Sequence, residues 1–216
     1  MFDTIILLSG ALEPPIFASV LCAHNPHLTV IPVGTLADLN ALSPDVLARA
    51  RLIAFVTSVI VPAGVLDRLG YGAYNFHPGP PNYPGWAPAH FAFYQRATEF
   101  GATAHAMAAR VDEGPIVGVQ MFRIPPDACV ASIEGMAYAR LCYLFWSLAR
   151  PLAACSEPLP RLPLRWSGIK TTRRDYAAIC GIPLNIPRDE LDHHIAEFGE
   201  FYLTIAPTIH QHVACQ

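Results

Sequence analysis

The sequence predicts an α/β fold, a mostly parallel sheet with helices on both faces. Three observations carry this expectation. Short, wholly apolar runs alternate with helical stretches through the first half of the chain. Continuous apolar runs suit strands buried on both faces, as parallel sheets require, better than the strict alternation of a half-exposed strand. The chain also has 216 residues with 53% hydrophobic and only 14% charged side chains, enough for one sizeable core.

The elements follow in order. "TIILLSG" (4–10) reads as a buried strand feeding a turn, and Pro14 and Pro15 suit the start of a helix with residues 16–23 as its body. "HLTVIPV" (27–33) is β-branched and reads as a strand. "SPDVLARA" (43–50) carries a serine N-cap with proline at the first helical position. "LIAFVTS" (52–58) is a third strand, "VPAGVLDRL" (61–69) a short helix and "YGAYNF" (71–76) a fourth strand. Residues 87–99 have helical spacing, with Phe91, Phe93 and Tyr94 as a core group. "TAHAMAARV" (103–111) and "IVGVQMFRI" (116–124) alternate as strands do, separated by the turn "DEGP". Residues 130–154 form the longest helical pattern, with Ile133, Met136, Ala137, Leu141 and Leu144 at core spacing. A proline-rich connector (156–166), the basic stretch "KTTRRD" (170–175) and two terminal helices near 188–198 and 200–213 complete the expectation. Residues 1–155 then form one α/β unit, and 156–216 a helical extension packed on it.

Charge and composition narrow the function. The net charge of −3 comes without a basic run, so no electrostatic footprint for nucleic acid is present, although a tRNA held by a few contacts is not excluded. Six widely spaced cysteines with no C-x-x-C read as reduced thiols rather than a disulfide framework. At the N-terminus the first charge is Asp3, and Glu13-Pro14-Pro15 cuts the apolar run, so a strand, turn and helix fit better than a signal peptide. No apolar stretch reaches the ~18 residues of a membrane span. A cytoplasmic location, no membrane partner and compatibility with a homo-oligomer are the resulting expectations. "HH" (193–194) and "HQH" (210–212) lack a completing cysteine or carboxylate cluster and read as solvated helix faces, so no metal is expected. "GYG" (70–72) lacks the dinucleotide frame.

The informative stretch is "NFHPGPPNYPGW" (75–86), in which four of twelve residues are proline and two are glycine. Asn75 and His77 stand at its mouth, where a parallel strand reaches the carboxyl-end crevice that binds ligands in such sheets. Asp112, in the turn "VDEGP", can point into the same cleft. An amide donor, an imidazole and a carboxylate base together suit proton transfer and oxyanion stabilisation.

"NFHPGPPNYPG" followed by "GATAHAMAARVDEGPIVGVQ" resembles the folate-dependent formyltransferases, clearly over residues 52–124 and more faintly before and after. The resemblance implies a Rossmann-like formyltransferase fold, with residues 1–155 as the catalytic domain. It implies transfer of a formyl group from 10-formyltetrahydrofolate to an amine of a small acceptor, an amino-sugar nucleotide among the candidates. A 10-formyltetrahydrofolate hydrolase and a non-catalytic folate-binding module are the alternatives. Asn75, His77 and Asp112 would be catalytic. Asn75 would hold the formyl oxygen, donor-form His77 would stabilise the oxyanion, and Asp112 would accept a proton and keep the imidazole charged. Val59, Ile60, Val61, Val111, Asp112 and Gly114 would grip the cofactor, and His105 and Trp86 would lie on the acceptor side.

Overall fold

The computed structural model describes residues 2–180, together with Pro187 and Asp189. Strand β1 (Thr4–Leu8) is buried at all five positions, and helix α1 (Glu13–His24) follows with its prolines in the first turn. Next come β2 (Thr29–Val33), α2 (Leu36–Asn40), α3 (Pro44–Arg49), β3 (Ala50–Phe55), α4 (Ala63–Leu66) and β4 (Ala73–His77). The second half holds α5 (Pro88–Tyr94), β5 (Glu99–Ala106), β6 (Ile116–Arg123), α6 (Val130–Ala154) and α7 (Arg173–Cys180). Apart from Asp189, the expected terminal helices near 188–198 and 200–213, with the histidine pairs 193–194 and 210–212, lie outside the described residues.

The six strands form one sheet in the order β2-β1-β3-β4-β5-β6. The pairings β1–β2, β1–β3 and β3–β4 are parallel, and β4–β5 and β5–β6 are antiparallel. The expected α/β architecture is present, mostly parallel with an antiparallel edge. Pro32 is tolerated because β2 is an edge strand.

Alternation along the central strands divides the core. Ile5, Leu7, Ile53, Phe55, Tyr74 and Phe76 pack on one face against Phe17, Leu21 and the α6 residues Leu141, Leu144 and Phe145. Ile6, Leu8, Leu52 and Ala54 pack on the other against Leu39, Leu47 and Val65 of α2, α3 and α4. Helices thus cover both faces. The rings of Phe17 and Phe145 stack at 3.9 Å with a 16° interplanar angle, joining α1 to α6.

Arg51, fully buried in β3, ties the sheet to the end of α6. Its guanidinium donates to the carbonyls of Tyr71, Pro151, Leu152, Cys155, Ser156 and Glu157. A cation there satisfies carbonyls that a helix C-terminus leaves unpaired and complements its dipole.

Three local expectations change. Helix α2 adds to the expected elements; it starts with a capping box in which Asp38 accepts from the backbone of Thr35 while its own N–H donates to Thr35 Oγ1. The helical stretch expected over 87–99 stops at Tyr94, because Arg96 takes a left-handed φ of +54° and Glu99 already pairs with Arg123 in the sheet. The strand expected over 103–111 instead spans Glu99–Ala106; Met107 makes a last bond to the carbonyl of Ala73, opposite it beyond the end of β4, and the chain then turns over the site.

Candidate active site

β4 and β5 place three of the site residues by register alone. In the antiparallel pair Asn75 lies opposite His105 and His77 opposite Thr103, all on one face of the sheet. A register irregularity between Ala104 and His105 interrupts the β5–β6 ladder at this point, a device that re-aims a side chain beside a site. Asn75 Nδ2 then lies 3.1 Å from His105 Nε2, and His105 Nδ1 donates to the Ala106 carbonyl at 2.9 Å.

Asp112 reaches this pair from the turn. Its φ is +48°, a left-handed conformation unusual for a residue other than glycine, and its side chain is turned inward and 2% exposed. Oδ2 accepts the Gly85 N–H at 2.8 Å and lies 3.5 Å from His77 Nδ1. Oδ1 lies 3.2 Å from His105 Nε2, and among the described residues it has no aligned hydrogen-bond donor. One carboxylate therefore stands between two buried imidazoles.

The proline loop holds the other side. The Thr103 hydroxyl, fully buried, donates to the Gly79 carbonyl at 2.8 Å, and His77 Nε2 donates to the Tyr83 carbonyl at 2.9 Å. Gly85, with φ +100°, lies where a Cβ would come within 2.2 Å of the Thr171 carbonyl. This close approach lets the segment after the connector cross directly over the loop. Trp86 N–H donates to the Thr171 carbonyl and Thr171 N–H to the Pro84 carbonyl.

Burial would raise the Asp112 carboxyl, but the His105 and His77 contacts and the Gly85 N–H outweigh it and hold it at about 2. Asp112 is therefore ionised at neutral pH. His77 goes the other way from the expectation that a nearby carboxylate raises it. Burial dominates and pushes its pKa below the ordinary 6.5, with Asp112 opposing. The cluster at neutral pH thus pairs a carboxylate with a neutral His77 whose Nε2–H is engaged by Tyr83. Asn75, half-buried, is the amide donor that lines the cavity.

That cavity, about 1110 Å³, opens beyond the carboxyl ends of β3 and β4. Its walls include Val59, Ile60 and Val61 after β3, and Val111 and Asp112 from the turn; Asn75, His77, His105 and Trp86 line it too. Ile60 is 69% exposed and Val111 44%, an apolar surface open to a ligand. Gly114 is the exception among the expected binding residues. It does not line the cavity; a Cβ there would fall 1.8 Å from the Ala106 carbonyl, so it docks the turn onto the end of β5.

For "KTTRRD" (170–175) sequence reasoning weighs an anion-holding role but favours a solvent-facing basic stretch, and so leaves the residues supplied after α6 out of the site. Lys170 donates to the Val111 carbonyl at 2.6 Å and meets Glu113 at 2.9 Å. Arg173 stacks over the Trp86 ring at 4.3 Å, and both cations line the cavity with Thr171 and Tyr176. The "KTTRRD" run was the available signal, but its position over the loop depends on long-range pairing. No group of three or more potential metal ligands is present among the described residues.

The comparisons point the same way. The formyl transferase family model matches residues 35–137. A methionyl-tRNA formyltransferase of Moorella thermoacetica is 31% identical over 127 residues, 57% of this chain and 39% of that one. The chain spans between 39% and 61% of the length of the first three methionyl-tRNA formyltransferases it matches. In fold it resembles a sugar N-formyltransferase from Shewanella sp. FDAARGOS_354, with TM-score 0.70 and 15% identity over 89% of this chain and 86% of that one. It also resembles an N-formyltransferase from Helicobacter canadensis, solved with folinic acid and dTDP-3-aminofucose, with TM-score 0.67 and 16% identity over 92% and 81%.

Proposed function

Because the chain belongs to the formyl transferase family through residues 35–137, we propose that it transfers a formyl group from 10-formyltetrahydrofolate to an amine. The observation that carries this reading is the ionised Asp112 carboxylate, fixed between His77 and His105 beside Asn75 at the wall of the cavity. The site's chemistry suits the donor. Two apolar-lined segments, 56–61 and 107–112, flank the cavity and fit a flat heterocycle, and the Helicobacter canadensis neighbour carries folinic acid.

A bound donor would supply the formyl carbon, and in the overall transfer the acceptor nitrogen loses one proton while the donor nitrogen gains one. Asn75 offers an amide N–H where negative charge develops on the formyl oxygen, an interaction worth roughly 2.7–4 kcal/mol per donor in acyl transfer. Asp112, ionised and shielded from solvent, is the proton acceptor. His77 is neutral and faces Asp112 through Nδ1, so it can take up and release a proton without a second charge in the resting site. This shuttle role replaces the expected role of donor-form His77 at the oxyanion, because burial disfavours the charged ring and Nε2–H is engaged by the Tyr83 carbonyl. His105 orients Asn75 and Asp112 from within the cluster, and Trp86 remains on the acceptor side.

The acceptor is a small amine, and an amino-sugar nucleotide is the class favoured. Lys170, Arg173 and the half-exposed ring of Trp86 form a cationic and aromatic wall suited to an anionic, ring-bearing molecule.

The test is a mass-spectrometric screen of amino-sugar nucleotides and small amines with 10-formyltetrahydrofolate. A formylated amine is expected, with product lost in Asp112→Asn. Formate released without any amine would instead make the protein a hydrolase. Neither product would overturn the enzymatic reading.

A further inference from the structure

Trp166 lies in the proline-rich connector that leaves α6, far in sequence from Asn75, His77, His105 and Asp112. Its ring centroid is 5.0 Å from that of His105 at an interplanar angle of 87°, and 5.7 Å from that of His77 at 77°. It therefore presents near-perpendicular contacts to both imidazoles at once. Its Nε1–H donates to the Gly114 carbonyl at 2.9 Å, two residues beyond Asp112. The ring does not line the cavity. The connector is anchored on both sides of it: Leu162 N–H donates to the Ile116 carbonyl, and Ser167 N–H to the Pro81 carbonyl in the proline loop.

We infer that Trp166 is a positioning residue, holding His77, His105 and the Asp112 turn in mutual register from the side of the cluster away from the ligand. Three separate pieces of chain meet at this one ring: the end of β4, the end of β5 and the 112–114 turn. The strained left-handed backbone of Asp112 persists only if its surroundings hold it. The indole hydrogen bond and the Gly114 packing on Ala106 supply that hold. The ring also packs on His77, whose polar and charged neighbours include Asp112 from the turn, His105 from β5 and the Tyr83 carbonyl.

The inference rests on the formyl-transfer reading for its kinetic consequence, and its structural half is tested without turnover. The experiment compares the full chain with Trp166→Ala and Trp166→Phe by NMR titration of the His77 and His105 ring protons, thermal unfolding and formyl-transfer kinetics. In Trp166→Ala the His77 titration midpoint is expected to rise toward the ordinary 6.5, and kcat to fall roughly ten- to a hundred-fold. The donor KM should change less than about two-fold, as Trp166 does not touch the cavity. Trp166→Phe keeps the ring edge and should restore most of kcat and the parental titration.

A folded Trp166→Ala with parental kcat and parental histidine titration overturns the inference. If that variant does not fold, Trp166→Leu replaces it, filling the space without an aromatic edge or N–H, and parental behaviour there is equally fatal. If the parent itself formylates no amine, the reading of function falls. The histidine titrations still decide the positioning role.

Discussion

Replacing Asp112 with asparagine removes one charge and leaves nearly the same shape. The folded carboxyl is held at about 2 against an ordinary 3.8. At 1.36 kcal/mol per pKa unit this gap stabilises the folded protein by roughly 2 to 3 kcal/mol at neutral pH. The group is buried, so solvent screening does not erode it. Its folded pKa is depressed, so the contribution is complete above pH 4 to 5 and disappears as pH falls toward 2; about half is gone near pH ~3. Urea unfolding of the parent and Asp112→Asn at stepped pH values should therefore show a gap at neutrality that narrows below pH 4. Any loss from altered packing would be pH-independent and is thus separable. A gap that stayed constant down to pH 3 would refute the electrostatic reading of the cluster, and so would the absence of a gap at pH 7. The same variant should lower the formyl-transfer rate by roughly 10² to 10⁴ if the carboxylate is the acid–base group.

Other perturbations probe separate parts of the structure. Asn75→Ala should lower kcat by roughly 10² to 10³ with an unfolding midpoint near parental, because a single half-buried donor is lost. His77→Gln should flatten the acid side of the stability profile. The folded pKa of His77 lies below 6.5, so the parent loses stability as pH falls from about 6.5 toward that lower value. Gly85→Ala should cost roughly 1 to 3 kcal/mol in thermal unfolding, since φ +100° disfavours a side chain and the Cβ would press on the Thr171 carbonyl. Arg51→Met should destabilise by at least about 3 kcal/mol, measured by denaturant unfolding, because several buried carbonyls lose their donor together.

The central fold was legible because its information is local. β1 and β3 carry the continuous apolar runs 5–8 and 52–55, α3 announces itself with Ser43 and Pro44, and α6 carries its core spacing over its whole length. Asn75 and His77 could be placed at a strand end from the abrupt change to a proline loop. The misjudged segments are those where pairing overrides local preference. Residues 95–99 read as helix from their own sequence, yet Glu99 and Phe100 are taken by β6. The 107–111 stretch alternates like a strand, yet the chain there leaves the ladder to bring Asp112 over the site. The pKa of His77 was misjudged in the same way. The adjacent carboxylate is visible in the motif, but the depth of burial that outweighs it is a property of the assembled fold.

The segment after α6 shows what a motif-based reading leaves out. As sequence it is a polar, proline-rich connector followed by a basic run, a composition that suggests exposed linker. In three dimensions it threads back over the proline loop through the Gly85–Thr171 bridge, places Lys170 and Arg173 at the cavity and sets Trp166 against both histidines. None of these contacts has a sequence separation below 50 residues. Such pairings leave no periodicity to read, and the one anomaly in the primary structure is a lone tryptophan where a linker has no use for a large apolar ring. The prolines then acquire a purpose. A stiff connector loses little backbone entropy on being laid across the sheet's edge, so a few hydrogen bonds suffice to hold the strap, and through it the geometry of Asp112.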